Sequence, residues 1–463
     1  MPRSFWSGLF CIGLAFVAPS CATIAQTTSP STPSIATRNG VVVALRQAAL
    51  PIRGQEDDYN ALLTQIGDAR VVMLGEATHG THEFYRERMR ITQRLIRDKG
   101  FSAVVVEGDW PDAYRVNQFV RGTGRDTSAE QALSGFTRFP RWMWTNTVVR
   151  DLAQWMRNHN AALPAGTARV GFYGMDLYSL PGSSDAVVQG LQVLDAPSAT
   201  RARERYRGFQ RFRTTPELYG VAALSNAAGS QERAAREQFD ELQRAYNAQQ
   251  NRKEEWFSTL QNARVVKNAE AYYRISYRGG ESSWNLRDSH MADTLNALLA
   301  HLNTPSRPAK IVVWAHNSHV GDARQTTMGE SGELTVGQLM RQRHPNQTFL
   351  LGFTTYTGTA LAANEWGQPG QVQRVRPALP GSFAALFHET GVKNFLLPLR
   401  GSGDLVLSMG EPRLERAIGV VYLPQTERES HYFQARMSKQ FDAVIHIDVS
   451  TAVQPLRPET TTR

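Results

Sequence analysis

The sequence predicts an α/β protein with a central, mostly parallel sheet flanked by helices, and a helical insertion forming a lid or wall of the cleft. Two observations lead there. Short apolar runs recur along the chain with helical stretches between most of them, and one long stretch, 186–285, shows no strand signal. Continuous apolar runs of this length suit strands buried on both faces. Their alternation with helices puts them in a parallel or mixed sheet covered on both sides.

The 463 residues are 41% hydrophobic and 20% charged, enough for one large α/β domain carrying an insertion. Residues 1–25 read as an export signal peptide. Arg3 gives a basic start, Gly8 to Ala18 an apolar stretch, and Thr23-Ile24-Ala25 a small-residue cleavage site. A periplasmic or secreted protein is therefore expected. Cys21 offers the rival of a lipid anchor, but Ala18-Pro19-Ser20 before it fits a lipoprotein signal poorly. The apolar stretch is too short to span a bilayer and no later segment is long enough, so no stable membrane insertion is expected. Both cysteines, Cys11 and Cys21, lie in the leader, so cleavage after Ala25 would leave no thiol for disulfides or catalysis.

Residues 26–40, rich in Ser, Thr and Pro, read as a disordered linker. The catalytic domain is expected over 41–185 and 286–455. Its strand candidates are Arg70 to Leu74, Ser102 to Val106, Arg169 to Tyr173, Ile311 to Trp314, Thr348 to Phe353, Asn394 to Pro398, Gly419 to Leu423 and Asp442 to His446. Between Gly229 and Gly279 there is neither Gly nor Pro, while Ala, Glu, Gln and Arg abound, as in long helices. The polar tail beyond Val453 is expected to fray. The net charge of +9 is scattered, with no run of five basic residues, so no nucleic-acid partner is expected.

Chemistry gathers where four strands stop. The first runs into Gly75-Glu76-Ala77-Thr78-His79-Gly80, the second into Glu107-Gly108-Asp109, the third into Gly174-Met175-Asp176, and the fourth into Ala315-His316-Asn317-Ser318-His319. In an open α/β sheet, ligands bind beyond the carboxyl ends of the strands. Parallel pairing brings Glu76, His79, Glu107, Asp176, His316 and His319 to one rim. One carboxylate at a strand end means little, because acidic helix caps are common there. Four such ends, two of them bearing histidine, point to a site. On the helix after the first strand, Phe84, Arg88, Ile91 and Leu95 are spaced four, three and four apart, so they share one face. Arg88 thus sits in a core-facing stripe. A buried guanidinium needs carboxylate partners, and Glu76 and Glu107 are the natural ones. A structural clamp or a snorkelling side chain explains the spacing equally well. The three loop histidines suit acid–base work near neutral pH.

Gly75-Glu76-Ala77-Thr78-His79-Gly80 followed by His82-Glu83-Phe84 resembles the signature of the erythromycin esterase family. The likeness continues through Arg88, Glu107, Trp142-Met143-Trp144-Thr145-Asn146 and Gly171-Phe172-Tyr173-Gly174-Met175-Asp176. It resumes at Arg287-Asp288-Ser289-His290-Met291-Ala292 and Ala315-His316-Asn317-Ser318-His319, and ends at Ser430-His431-Tyr432-Phe433 and Phe441 to Asp448. It covers almost the whole mature chain. The resemblance implies metal-independent, cofactor-free hydrolysis of a macrolide lactone or related carboxylic ester, with a role in macrolide resistance. In that picture His79 is the general base acting on water. Glu76 and Glu107 orient His79, the water and Arg88, and Arg88 fixes the carboxylate pair. His316 and His319 stabilise the oxyanion or protonate the leaving alkoxide.

Asp176, at the same rim, is placed among the substrate contacts. The insertion's large rings, Trp256, Phe257, Tyr272, Tyr273, Tyr277 and Trp284, are expected to cover the apolar face of a bulky small-molecule ester, with Trp256, Tyr273 and Trp284 as direct contacts. No Gly-x-Ser-x-Gly elbow stands between a strand and a helix. Two other readings stay open. One is a metal-dependent hydrolase with Glu76, His79, His82, His316 and His319 as ligands. The other is an exported small-molecule-binding protein, against which stands the cost of burying an Arg–Glu–His cluster in a merely adhesive pocket.

Overall fold

The computed structural model describes residues 38–224, 230–251, 253–276 and 282–458. Among them the strands are β1 (Leu50–Pro51), β2 (Val71–Leu74), β3 (Ala103–Asp109), β4 (Gly171–Asp176), β5 (Ile311–Trp314), β6 (Thr348–Ala362), β7 (Gln371–Val375), β8 (Asn394–Pro398), β9 (Arg413–Arg416), β10 (Tyr432–Ala435) and β11 (Ala443–Ser450). The main sheet runs β1-β8-β11-β6-β2-β5-β3-β4, with β7 paired to β6, and β9 and β10 form a separate antiparallel pair. From β11 to β4 every neighbour is parallel. Within the main sheet, antiparallel pairing is confined to β8, β1 and β7. The carboxyl ends of β2, β3, β4 and β5 therefore share one edge.

The sheet divides two cores, and β2, β3, β4, β5, β6, β8 and β11 each feed both. Val71 and Met73 of β2 join one cluster, while Val72 and Leu74 join the other; β5 splits in the same way. Helices His82–Lys99 and Thr147–Ala162 cover one face. Helices Leu180–Leu194, Glu254–Ser276 and Ser282–Leu302 cover the other. Strands buried on both sides have no polar alternation to keep, which is why they read as unbroken apolar runs.

Seven of the eight strand candidates contain or overlap a strand of the main sheet. The eighth, Gly419 to Leu423, makes an isolated bridge from Val421 to Ala363, beside one from Ile418 to Thr78. Its apolar residues stitch the β2 loop to the end of β6 instead of entering the sheet. β7, paired to β6 at the side of the main sheet, and β9 and β10, outside it, carry alternating or polar sequences that no apolar run announces.

The expected linker ends earlier than residue 40, because helix Arg38–Ala48 begins at Arg38 and buries Val41 and Leu45. The tail past Val453 is also tied down. Val453 is buried, Pro455 bridges Asn146, and Leu456 donates its N–H to the Thr145 carbonyl at 2.9 Å. Among the described residues the stretch 186–285 holds helices and short connections and no strand, but helix Ser282–Leu302 runs straight through the expected boundary at 285. Val187, Leu191, Leu260 and Val266 share one core with Val71 and Val105 of the sheet, so this stretch is a layer of the same domain. The leader, Cys11, Cys21 and Tyr277 lie outside the described residues. No helix among the described residues is long and apolar enough to cross a membrane.

Candidate active site

The loop leaving β2 is clamped by its neighbours. The Gly80 carbonyl accepts N–H bonds from Leu361 and Val453, each at 2.9 Å, and the Glu76 carbonyl accepts from Asn317 at 2.8 Å. Glycine is required at both ends. A Cβ on Gly75 would overlap the Asn317 amide, and one on Gly80 would overlap the Leu361 carbonyl.

Within this loop Glu76 is fully buried and uses both oxygens. Oε1 accepts from His79 Nδ1 at 3.0 Å, and Oε2 from Arg88 Nη2 at 2.8 Å. Because Nδ1 gives its proton to a carboxylate, the lone pair of His79 is at Nε2. Arg88 lies in the helix stripe with no solvent exposure. Its guanidinium carbon sits 4.4 Å from the Tyr85 ring centroid and 4.7 Å from that of Trp314, while Nε and Nη1 make no hydrogen bond. One carboxylate and two ring faces therefore stabilise its charge.

Glu107 is not the second partner of Arg88. It is held by Arg287, a residue sequence reasoning had left outside the site. Arg287 Nη2 donates to Glu107 Oε1 at 2.8 Å and to Asp176 Oδ2 at 2.7 Å, and Nε donates to Asp176 Oδ1 at 2.9 Å. Glu107 Oε2 accepts the His316 N–H at 2.9 Å. Burial alone would raise the Glu107 pKa, but His319, Arg287, His79 and the His316 amide together hold it well below the usual carboxylate range. Burial likewise opposes ionisation of Asp176, and Arg287 outweighs it, so that carboxyl is also held low. Asp176, expected among the substrate contacts, is thus engaged at both oxygens by Arg287.

The β5 loop enters a short helix, Asn317–Val320, with His316 as its N-cap. His316 Nδ1 accepts the Ser318 N–H at 3.3 Å and meets Ser318 Oγ at 2.8 Å. The proton of the neutral ring is therefore at Nε2, which is buried. Burial and His79 push the His316 pKa well below the histidine range, against the pull of Glu107 and the Ala77 carbonyl. The His79 and His316 ring centroids are 4.6 Å apart.

His319 has a different environment. Its Nδ1 lies 2.9 Å from Asp288 Oδ2, and its Nε2 lies 3.0 Å from Arg287 Nη1 and 3.5 Å from Glu107 Oε1. Burial disfavours charging of this ring, but Asp288 and Glu107 outweigh it and hold the pKa above the ordinary value. Arg287 can donate only to the neutral ring. Protonation would turn Nε2–H toward Glu107.

Trp284 stacks on His319 with centroids 4.5 Å apart and anchors its Nε1–H on the Leu334 carbonyl at 2.8 Å. Tyr273 is buried, donating to the Tyr178 carbonyl at 3.0 Å, and the Tyr178 ring receives the Arg138 and Arg287 guanidinium groups. Trp256 packs half-buried against the core of the helical layer. Of the three rings expected to contact substrate, Trp284 touches the histidine cluster directly.

Besides Arg287, sequence reasoning had left Asp288 outside the site, although both stand in a quoted motif. It gave no sign of Arg138, which binds Asp109 at 2.7 and 3.1 Å. Among the described residues no three His, Cys, Asp or Glu side chains are grouped to hold a metal. His79, His316 and His319 are 7%, 4% and 3% exposed. A surface cavity of about 250 Å³ lies elsewhere, lined by Arg376, Leu379, Glu427 and Arg428 among others.

The charge pairing makes a prediction for acid stability. Glu107 and Asp176 have lowered folded pKa values, so their contribution is complete above the unfolded carboxylate range and is lost as pH falls toward the folded values. Tm should therefore drop as pH falls below about 5. Arg287→Met leaves both carboxylates buried without their cation and should flatten that drop. Parallel Tm curves for parent and variant would show that the pairing contributes nothing.

The erythromycin esterase family model matches residues 96–450. The chain belongs to the erythromycin esterase family. Among curated relatives, erythromycin esterase type II of Escherichia coli is 22% identical over 421 residues, covering 85% of this chain and 93% of that protein. Erythromycin esterase type I of Escherichia coli is 19% identical, covering 84% and 93%. Solved structures share the fold. A Bacillus cereus protein aligns with a TM-score of 0.76 at 19% identity, over 91% of this chain and 100% of that one. A succinoglycan biosynthesis protein gives 0.72 at 19% identity, over 91% and 100%. A histidine-to-asparagine mutant of the erythromycin esterase EreC in its open conformation gives 0.64 at 15% identity, over 88% and 97%. Family membership makes this chain an ester hydrolase by class.

Proposed function

We propose that this family member opens a macrolide lactone, or a related bulky carboxylic ester, by attack of a water that His79 deprotonates. The observation that carries the reading is the pairing of two rings with opposite capacities. His79, anchored at Nδ1 on Glu76, presents a lone pair at Nε2. His316, fixed at Nδ1 by its own loop, carries its proton at Nε2. Water gives its proton to His79 as its oxygen bonds to the carbonyl carbon, and the His316 donor meets the negative charge that develops on the carbonyl oxygen. The tetrahedral intermediate then expels the alkoxide. His319, favoured in its charged form by Asp288 and Glu107, returns a proton to it. Arg88 acts through Glu76, and Arg287 through Glu107. A resistance role would follow if the ester is the lactone of a macrolide antibiotic.

A panel of macrolides and simple aryl esters, followed by mass spectrometry, tests the reading. Lactone substrates should gain one water. Trp284→Ala should lower kcat/KM for macrolactones on the order of tenfold, and less for small aryl esters, since the ring offers an apolar face to a large substrate. No product from any ester would sink the proposal. Equal losses on both substrate classes would remove Trp284 from substrate recognition.

A further inference from the structure

We propose that Glu415 is a positioning residue for the histidine loop, held as a neutral carboxylic acid that braces helix Asn317–Val320 through Asn317. The proposal rests on the reading above, because that helix carries His316 and His319. Glu415 lies on β9, outside the main sheet, and is 2% exposed. Its Oε1 accepts from Asn317 Nδ2 at 3.3 Å. Asn317 joins three parts of the rim. Its N–H donates to the Glu76 carbonyl at 2.8 Å, its Nδ2 donates to the Phe353 carbonyl at 2.7 Å, and its Oδ1 accepts the Phe353 N–H at 3.2 Å. Asn317, through its backbone and side chain, thus ties the β2 loop, the β5 loop and β6 together, with Glu415 behind it. The far end of the helix meets Gln440, whose side chain lies so close to Gly321 that a Cβ there would collide with it. The Gln440 amide also lies near enough to the Glu415 carboxyl to favour its ionised form, as a donor does.

The protonation state follows from the acceptors. Glu415 Oε2 and Gln440 Oε1 are both buried and both lack a donor. Protonation of the carboxyl removes a buried charge that no donor at Oε2 offsets. An ionised Glu415 would be a buried charge without a cation. Arg416, next along β9, directs its guanidinium to the Arg376, Thr355 and Tyr356 carbonyls and to Glu427. Lys439, beside Gln440, is exposed, and His388 at the end of helix Phe383–His388 pairs with Asp448. From β6, Thr354 and Thr355 bring hydroxyls, the former bound to His446. Arg413, two residues back on β9, is not among the groups that act on the carboxyl. Burial pushes Glu415 up to about 8, against smaller opposing effects of Gln440 and Asn317.

Glu415→Gln mimics the neutral acid and cannot ionise. A carboxyl with a raised folded pKa contributes stability at low pH, which is lost as pH rises from the ordinary carboxylate range to about 8. The Tm of Glu415→Gln minus that of the parent should therefore climb through that window and level off above it. The ring signals of His316, followed by NMR, should shift near pH about 8 in the parent and stay fixed in Glu415→Gln. Neither readout needs turnover, so both still decide this inference if no ester is hydrolysed and the functional reading fails. With an aryl ester, Glu415→Gln should keep most of the parent kcat near neutral pH and lose its alkaline fall. Glu415→Leu should lower kcat on the order of 10²-fold with KM little changed, as expected for misplaced catalytic groups. A pH-independent Tm difference, or a Glu415→Gln kcat as low as that of Glu415→Leu, would overturn the proposal. So would the same His316 transition in both proteins.

Discussion

His79→Asn is expected to reduce turnover by a factor on the order of 10²–10⁴, the usual contribution of one general base. The fold should survive. His79 occupies a loop at the sheet rim, and its one side-chain anchor, Glu76, keeps its bond to Arg88 after the change. The loop itself is held by backbone bonds to Leu361, Val453 and Asn317, none of which involves the imidazole. Asparagine supplies polar groups but no basic lone pair in this pH range. The measurement is kcat on the best ester of the panel, beside a thermal melt. A folded variant with near-parental turnover would take the base role from His79.

Arg88→Ala should act chiefly on stability. The guanidinium is fully buried, and its removal leaves the Glu76 carboxylate in the core with only His79 beside it. Removing one partner of a buried ion pair costs roughly 3–5 kcal/mol, against ~0–1 for an exposed pair. Loss of the contacts over Tyr85 and Trp314 adds to this. Most of the cost comes from the stranded charge, so Arg88→Met combined with Glu76→Gln should recover a good part of it, while activity stays low in both proteins. Chemical denaturation gives the comparison. A single variant as stable as the parent would mean the charge is unimportant to the fold.

Arg88 also shows how far the sequence could be read. Its helical spacing from Phe84, Ile91 and Leu95 placed it in the core, and the structure puts all four there. The choice of carboxylate was half right. Glu76 is the partner, but Glu107 answers to Arg287 instead. Spacing along one element tells which face a residue occupies. It does not tell which of two strand ends lies nearer, because that depends on strand order, and β5 lies between β2 and β3. Arg287 and Asp288 went unassigned for a related reason. They stand in a helix whose other charges and polar groups look like an ordinary solvated face, and only packing against the β3, β4 and β5 ends reveals their partners. The central strands were legible because double-sided burial leaves an unbroken apolar signature. Glu415 offered no such signal, since its strand Arg413–Arg416 reads as polar surface.

The paired glycines of the β2 loop have a consequence for how this family can change. Gly75 faces the Asn317 amide and Gly80 faces the Leu361 carbonyl, and neither position has room for a methyl group. The segment carrying Glu76 and His79 therefore tolerates almost no variation at its ends, whatever ester is offered. Adaptation to a new substrate has to be written in residues that surround this segment, such as Trp284 on the neighbouring helix. On the proposed reading, the reacting loop and the residues that choose the ester are then separate parts of the chain, so selectivity can change without touching the loop's fixed ends.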